Sequence, residues 1–190
     1  MVRPDGYKGL VMNLKQLICC LLAVWLLAGC DGNTPLMKKV LHEDVAGTQE
    51  ALAQGADINA RNNYGWTALM HAARLGNSEL TRILLEHGAD IDAQNEDGWT
   101  ALMRAALKGD AATIKVLIDH HADVNIIESS DSNALFWAAQ RGNTEAVKLL
   151  LAAGADYTHV NSSGWTPMMA ASSGGYNDIV QLLRDAGARQ

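Results

Sequence analysis

Apolar and polar positions alternate along this chain in a block that returns every 33 residues. Each block opens on a polar residue, at Thr34, Thr67, Thr100, Asn133 and Thr166, followed by the strings PLMKKV, ALMHAA, ALMRAA, ALFWAA and PMMAAS. A turn position follows at Glu43, Gly76, Gly109, Gly142 and Gly175. Then comes a second apolar stripe, such as Ile83-Leu84-Leu85, Val116-Leu117-Ile118 or Leu149-Leu150-Leu151. The block closes on GADIN, GADID, HADVN, GADYT or a final Gly187-Ala188. A fixed period of this size means one supersecondary unit stacked on copies of itself. The pattern predicts helix, turn, helix and loop, five times over, in units 34–66, 67–99, 100–132, 133–165 and 166–188.

The residue types at the junctions agree. A threonine hydroxyl or asparagine carbonyl at the block start suits a helix N-cap. Pro35 and Pro167 follow it, where a missing N–H costs nothing. Asp44, Asn77, Asp110 and Asn143 stand where the second helix needs its own cap, and Tyr176 breaks that pattern. The pairs Ala72-Ala73, Ala105-Ala106 and Ala138-Ala139 favour helix and let a neighbour approach closely. Gly55, Gly88, Gly154 and Gly187 suit the end of the second helix. His121 holds that place in the third unit and predicts left-handed strain.

These strings resemble ankyrin repeats, and the resemblance covers residues 34 to 188. It implies an all-α ankyrin-repeat solenoid of five 33-residue helix-turn-helix units with hairpin loops. It also implies a concave face where protein partners are held, and no catalytic pocket. The histidine of the family's TPLH string is replaced by Met37, Met70, Met103, Phe136 and Met169, which read as core between repeats. Lys38, Lys39 and Glu50 in the first unit, and Arg184 in the last, give both end units a polar face. Caps of that kind suit a complete five-unit domain.

Residues 17–28, LICCLLAVWLLA, are an unbroken apolar run, too short to span a bilayer and of signal-peptide length. Lys15 precedes it and Leu27-Ala28-Gly29-Cys30 ends it, which resembles the bacterial lipobox. The resemblance implies a lipoprotein signal peptide over residues 1–29 and lipidation at Cys30. Met12 opens a more compact leader and is the expected start. Residues 30–33 leave a tether reaching at most ~14 Å, so the domain is expected near the membrane and facing the periplasm. Asp31 resembles an inner-membrane retention signal, with the outer membrane as the alternative.

Charge narrows the partner. Fifteen Lys and Arg against 21 Asp and Glu give −6. Removing the leader takes away Arg3, Lys8, Lys15 and Asp5, three positive charges and one negative, leaving −8. Such a domain has no case as a nucleic-acid binder. No HExxH, GxSxG, Walker loop or CxxC occurs, so neither an enzyme, a cofactor nor a metal is expected. His120-His121 with Asp119 and Asp123 belong to a helix end, and Ser129-Ser130-Asp131 to a turn.

The expected partner-binding positions are Tyr64, Trp66, Arg74, Glu96, Asp97, Trp99, Lys108, Arg141 and Trp165, by analogy with the family's concave face. Leu75, Gln140 and Ser163 share that face, and His71, Arg104 and Trp137 line the groove. Tryptophan is enriched at binding hot spots. The alternative is that the rings of Trp66, Trp99 and Trp165 pack against neighbouring hairpins. The expectation is a monomer binding one protein, as an accessory or stabilising protein for a periplasmic enzyme. An immunity protein against a periplasm-acting toxin is the alternative.

Overall fold

The computed structural model describes residues 31–188. Cys30, the apolar run before it and the Met12 start lie outside the described residues. Among those described there are ten helices and no strand. They pair as α1 (Pro35–Leu41) with α2 (Val45–Ala53), α3 (Ala68–Leu75) with α4 (Ser78–Glu86), and α5 (Ala101–Lys108) with α6 (Ala111–Asp119). The last pairs are α7 (Ala134–Gln140) with α8 (Thr144–Ala152) and α9 (Pro167–Ser173) with α10 (Asn177–Asp185). The chain from Asn33 onward is one compact unit.

The caps form where the residue types place them. Thr34, Thr67, Thr100 and Thr166 accept the amides of Met37, Met70, Met103 and Met169 at 3.2–3.4 Å, and Asn133 accepts that of Phe136 at 2.9 Å. Asp44, Asn77 and Asp110 cap α2, α4 and α6 in the same way at 2.8–2.9 Å. Each such bond contributes about 1 kcal/mol.

Asn143 departs from expectation. Its amide group donates instead to the carbonyls of Ala106 and Leu107, at 2.8 and 3.2 Å, and leaves α8 without a side-chain cap. Those carbonyls lie in the last turn of α5, where the Ala106 oxygen also accepts Gly109 N–H at 3.2 Å, so the side chain ties one repeat to the next. One unit later, Tyr176 lays its ring against the turn. A Cβ on Gly142 would stand 2.4 Å from that ring, so the turn requires glycine for space as well as for its φ of 74°.

Helices α1, α3, α5, α7 and α9 form an inner layer, and α2, α4, α6, α8 and α10 an outer one. Inner helices approach one another more closely than outer ones because their facing residues are alanines, Ala72, Ala73, Ala105, Ala106, Ala138 and Ala139, all buried. Unequal spacing turns the inner side into the concave one. Leu69, Leu80, Leu84, Leu102, Ile114, Leu117, Leu135 and Leu150 fill the space between the layers. Met37, Met70, Met103 and Phe136 are buried with them. Met169 is not: it is 44% exposed, so the apolar stripe leaves the core at the last unit.

The loops stack in the same register. Asn59, Asp92 and Asn125 each accept the amide of the residue 31 positions on, Asp90, Asp123 and Asp156, at 2.8–3.0 Å. Nearer the loop tips, Glu96 N–H donates to the Tyr64 carbonyl at 3.3 Å and Ser129 N–H to that of Asp97 at 2.9 Å.

His121 has the strain expected of it, with φ of 67° where the other units have glycine at 81° to 108°. His121→Gly is therefore expected to raise stability by about 1 kcal/mol, read as a shift in the urea midpoint at unchanged slope.

Candidate partner-binding face

A loop of five residues carries each tryptophan to the inner layer. In the first unit Asn62 Oδ1 accepts the amides of Tyr64 and Trp66 at 3.0 and 2.9 Å, while Asn62 N–H donates to the Trp66 carbonyl at 3.0 Å. Asn95 and Asn161 hold Trp99 and Trp165 by the same amide bond, at 2.7 and 2.9 Å. The third finger, in the third unit, is built differently. Glu128 replaces the asparagine, with one carboxylate oxygen accepting from Ser130 N–H at 2.9 Å and the other from Ser132 N–H at 3.2 Å. Asp131 takes the left-handed turn position, φ 58°, that Gly65, Gly98 and Gly164 hold elsewhere. Ser129-Ser130-Asp131 is thus turn chemistry, and no indole stands at Ser132.

Held this way, the rings of Trp66 and Trp99 each meet the inner helices of the next two units. Trp66 lies 5.0 Å from the His71 ring, and the Arg104 guanidinium lies 4.2 Å from the Trp66 centroid. On its other face Arg104 lies 4.0 Å from Trp99. Trp99 in turn stacks at 4.7 Å on Trp137, whose edge meets Phe136 at 5.6 Å. Arg74 completes the cluster at 5.7 Å from Trp66. The result is a ladder of alternating finger and helix side chains, His71, Trp66, Arg104, Trp99 and Trp137, running across the inner helices α3, α5 and α7.

Arg104 is its centre. Burial pushes its guanidinium down to about 10, the Asp97 carboxylate opposes that shift, and Arg74 adds to it. The group stays cationic at neutral pH. Its Nε is buried without a hydrogen-bond partner among the described residues, as is Trp137 Nε1. Unmet donors of this kind cost on the order of 1–3 kcal/mol each, so stacking has to offset them. Cation–aromatic contact on both faces of Arg104 supplies about 0.5–2 kcal/mol per face.

The inner helices carry one sign of charge, while the fingers beside them carry Glu96, Asp97 and Asp131. Lys38, Lys39, Arg74, Arg104 and Lys108 lie on α1, α3 and α5 and Arg141 caps α7, and none of the five inner helices carries Asp or Glu. The 20 carboxylates from Asp31 onward belong to the outer helices, the turns and the loops. In a chain of net charge −6 this leaves a cationic, aromatic inner face.

The expected site residues divide accordingly. Trp66, Trp99 and Arg74 gather at Arg104. Both rings are half-buried, so they pack between repeats and still present an edge to solvent. Tyr64, 58% exposed, stands at a finger tip with Glu96 and Asp97, and Lys108 and Arg141 are exposed at inner-helix ends. Trp165 stands apart, 41% exposed and in no ring contact. Arg104 and Trp137, expected only as groove lining, are the organising pair. The signal for them was the interval of five residues that separates Trp66 from His71, Trp99 from Arg104 and Ser132 from Trp137. His120 Nδ1 lies 2.8 Å from the Val116 carbonyl, as His87 Nδ1 lies 2.7 Å from that of Ile83, so both are helix-end contacts. Among the described residues no group of three or more His, Cys, Asp or Glu converges as metal ligands, and no helix is long and apolar enough to cross a membrane.

The family model for ankyrin repeats in three copies matches residues 27–128, 89–160 and 126–190. Among curated proteins, the chain is 38% identical over 56 residues to the ankyrin repeat, SAM and basic leucine zipper domain-containing protein 1 of Microcebus murinus, covering 30% of this chain and 12% of that protein. The Homo sapiens protein of that name is 46% identical over 43 residues, 23% of this chain and 9% of that one. The mitochondrial disaggregase of Bos taurus is 34% identical over 87 residues, 43% and 13% respectively. The chain thus spans about an eighth or less of the length of these relatives.

Arg104→Ala removes the filler between two indoles and is expected to cost about 1–3 kcal/mol by chemical denaturation. Arg104→Lys should recover little of that, because an ammonium has no plane to stack.

Proposed function

The chain belongs to the ankyrin-repeat family, and from that premise we propose that it is a non-enzymatic module holding a protein partner against its inner face, with acidic and apolar groups on the partner's side. The observation that carries this reading is the Trp66–Arg104–Trp99 sandwich at the centre of a face with no carboxylate on its helices. Aromatic and arginine side chains that are rigid before binding cost little further entropy to use. The family is generally an interaction scaffold, which agrees with the absence of catalytic motifs in the sequence.

The same proposal places the module in the bacterial envelope, anchored by lipid at Cys30 and serving as an accessory protein for a periplasmic enzyme. Support for the anchor is the sequence LLAVWLLAGC, at the end of a signal-length apolar run. The short stretch Asp31-Gly32-Asn33 before the first cap favours a partner close to the membrane. An acidic domain at an anionic membrane surface gains nothing from its own net charge, which leaves the lipid as the attachment.

Two measurements test this reading. Trp66→Ala with Trp99→Ala should weaken a partner captured from envelope extract by about tenfold or more while unfolding stays cooperative. Association of the native domain should slow as salt rises, since its cations steer the encounter. An undiminished partner affinity in the double variant would remove the inner face from the reading, and a captured toxin would replace the accessory role with an immunity one. For the anchor, Cys30→Ser should abolish incorporation of labelled palmitate and release the protein from the membrane fraction.

A further inference from the structure

The ladder on the inner face is incomplete, and the missing rungs fall together. Its register is regular: Trp66 and Trp99 each meet the helix residue five positions on and the one 38 positions on. Continued once more, the pattern needs a planar side chain at position 132, between those at 137 and 170. Position 132 is serine, and position 170 is alanine. Trp137 therefore has Trp99 on one face and no finger ring on the other, and Trp165 has no planar residue to meet. A groove of about 300 Å³ lies there, lined by Ser132, Trp137, Gln140 and Trp165 among others. A second, of about 470 Å³, runs along Trp165 to Met168 and Met169.

We propose that this gap between Trp137 and Trp165 receives an aromatic side chain of the protein partner, next to a carboxylate on that partner. The inference rests on the partner-binding reading above and names the chemistry recognised at one end of the same face.

Three observations fix the occupant. The other three fingers place an indole at the position of Ser132, so the register of the ladder calls for a ring at this point. The walls are aromatic faces, against which an offset or tilted ring gains beyond its buried area. The charge carried by the helices nearby is cationic, and Asp131 on the finger is the carboxylate that stands beside the lining serines. Arg141 follows the lining Gln140, and Lys108 and Arg104 lie on the preceding inner helix. Glu128 on the finger is turned into its own loop by Ser130 and Ser132. On the helix side, away from Asp131, those cations favour a carboxylate beside the ring over a guanidinium, the other planar group the ladder accepts. The exposure of Trp165 and Met169, at 41% and 44%, is then the cost of leaving the gap for a partner to fill.

The test uses small probes in place of the partner, so it succeeds or fails independently of capture. Indole-3-propionate is titrated into isotope-labelled protein while the tryptophan indole N–H signals are followed. Saturable shifts are expected at Trp137 and Trp165, about fivefold weaker in affinity for cyclohexanepropionate, which has the carboxylate without the aromatic ring. Ethylguanidinium should bind more weakly still. Ser132→Trp supplies the missing rung from within and should abolish the shifts while raising the melting temperature. Trp165→Phe assigns the signal, and Trp165→Ala, at an exposed ring, should lower affinity about fivefold even if the serine variant fails to fold. Equal affinity for the saturated probe, tighter binding of ethylguanidinium, shifts confined to Trp66 and Trp99, shifts that persist in folded Ser132→Trp, or no saturable shift would each overturn the proposal. If the probes bind here but Trp66 and Trp99 prove irrelevant to the captured partner, the slot stands and the wider face does not.

Discussion

Close approach of the inner helices governs everything else in this molecule. Alanine pairs at 72-73, 105-106 and 138-139 bury completely against their neighbours, so each inner helix is held chiefly by those beside it. Because outer helices carry Leu, Ile and Val where inner ones carry Ala, the layers differ in spacing and the stack curves. That curvature gathers the fingers over the inner helices. It also brings side chains 38 positions apart into ring contact, as with Trp66 and Arg104.

A repeat protein built this way converts sequence variation into position along one axis. The fold needs the same capping residue, turn and apolar stripe in every unit, and those positions vary little. The position at 71, 104, 137 and 170 is free of that demand and holds His, Arg, Trp and Ala in turn. The finger position holds Trp, Trp, Ser and Trp. Two series, interleaved by the register, make a ladder that is dense in the middle repeats and open in the fourth and fifth. Where the ladder is dense, the rings serve stability and recognition together. Where it is open, aromatic surface is left to solvent.

Electrostatics follows the same geometry. Carboxylates are plentiful in the chain, but they serve as caps at Asp44 and Asp110, as turn acceptors at Glu128, and as surface charge on outer helices. None lies on an inner helix, so an acidic protein presents a cationic groove. Placing a half-buried guanidinium there depresses its proton affinity and leaves Nε without an acceptor. Such a group is tolerated because two indole faces surround it, and it is rigid before any partner arrives.

The sequence by itself determined the repeat. The period of 33, the caps at Thr34 and its equivalents, the strained His121 and the buried methionines at 37, 70 and 103 are all local or periodic signals, and each is present in the folded chain. Asn143 shows the limit of local reading: a cap residue by type, it found better acceptors on the previous repeat. Met169 shows another, since a stripe read from period alone does not reveal which unit leaves it uncovered. The tryptophans were legible as a recurring feature, but whether they packed or pointed outward was not. Tertiary structure alone decided that Trp66 and Trp99 share Arg104 while Trp165 shares nothing, because those contacts depend on the distance between layers and on which side chain the neighbouring repeat supplies.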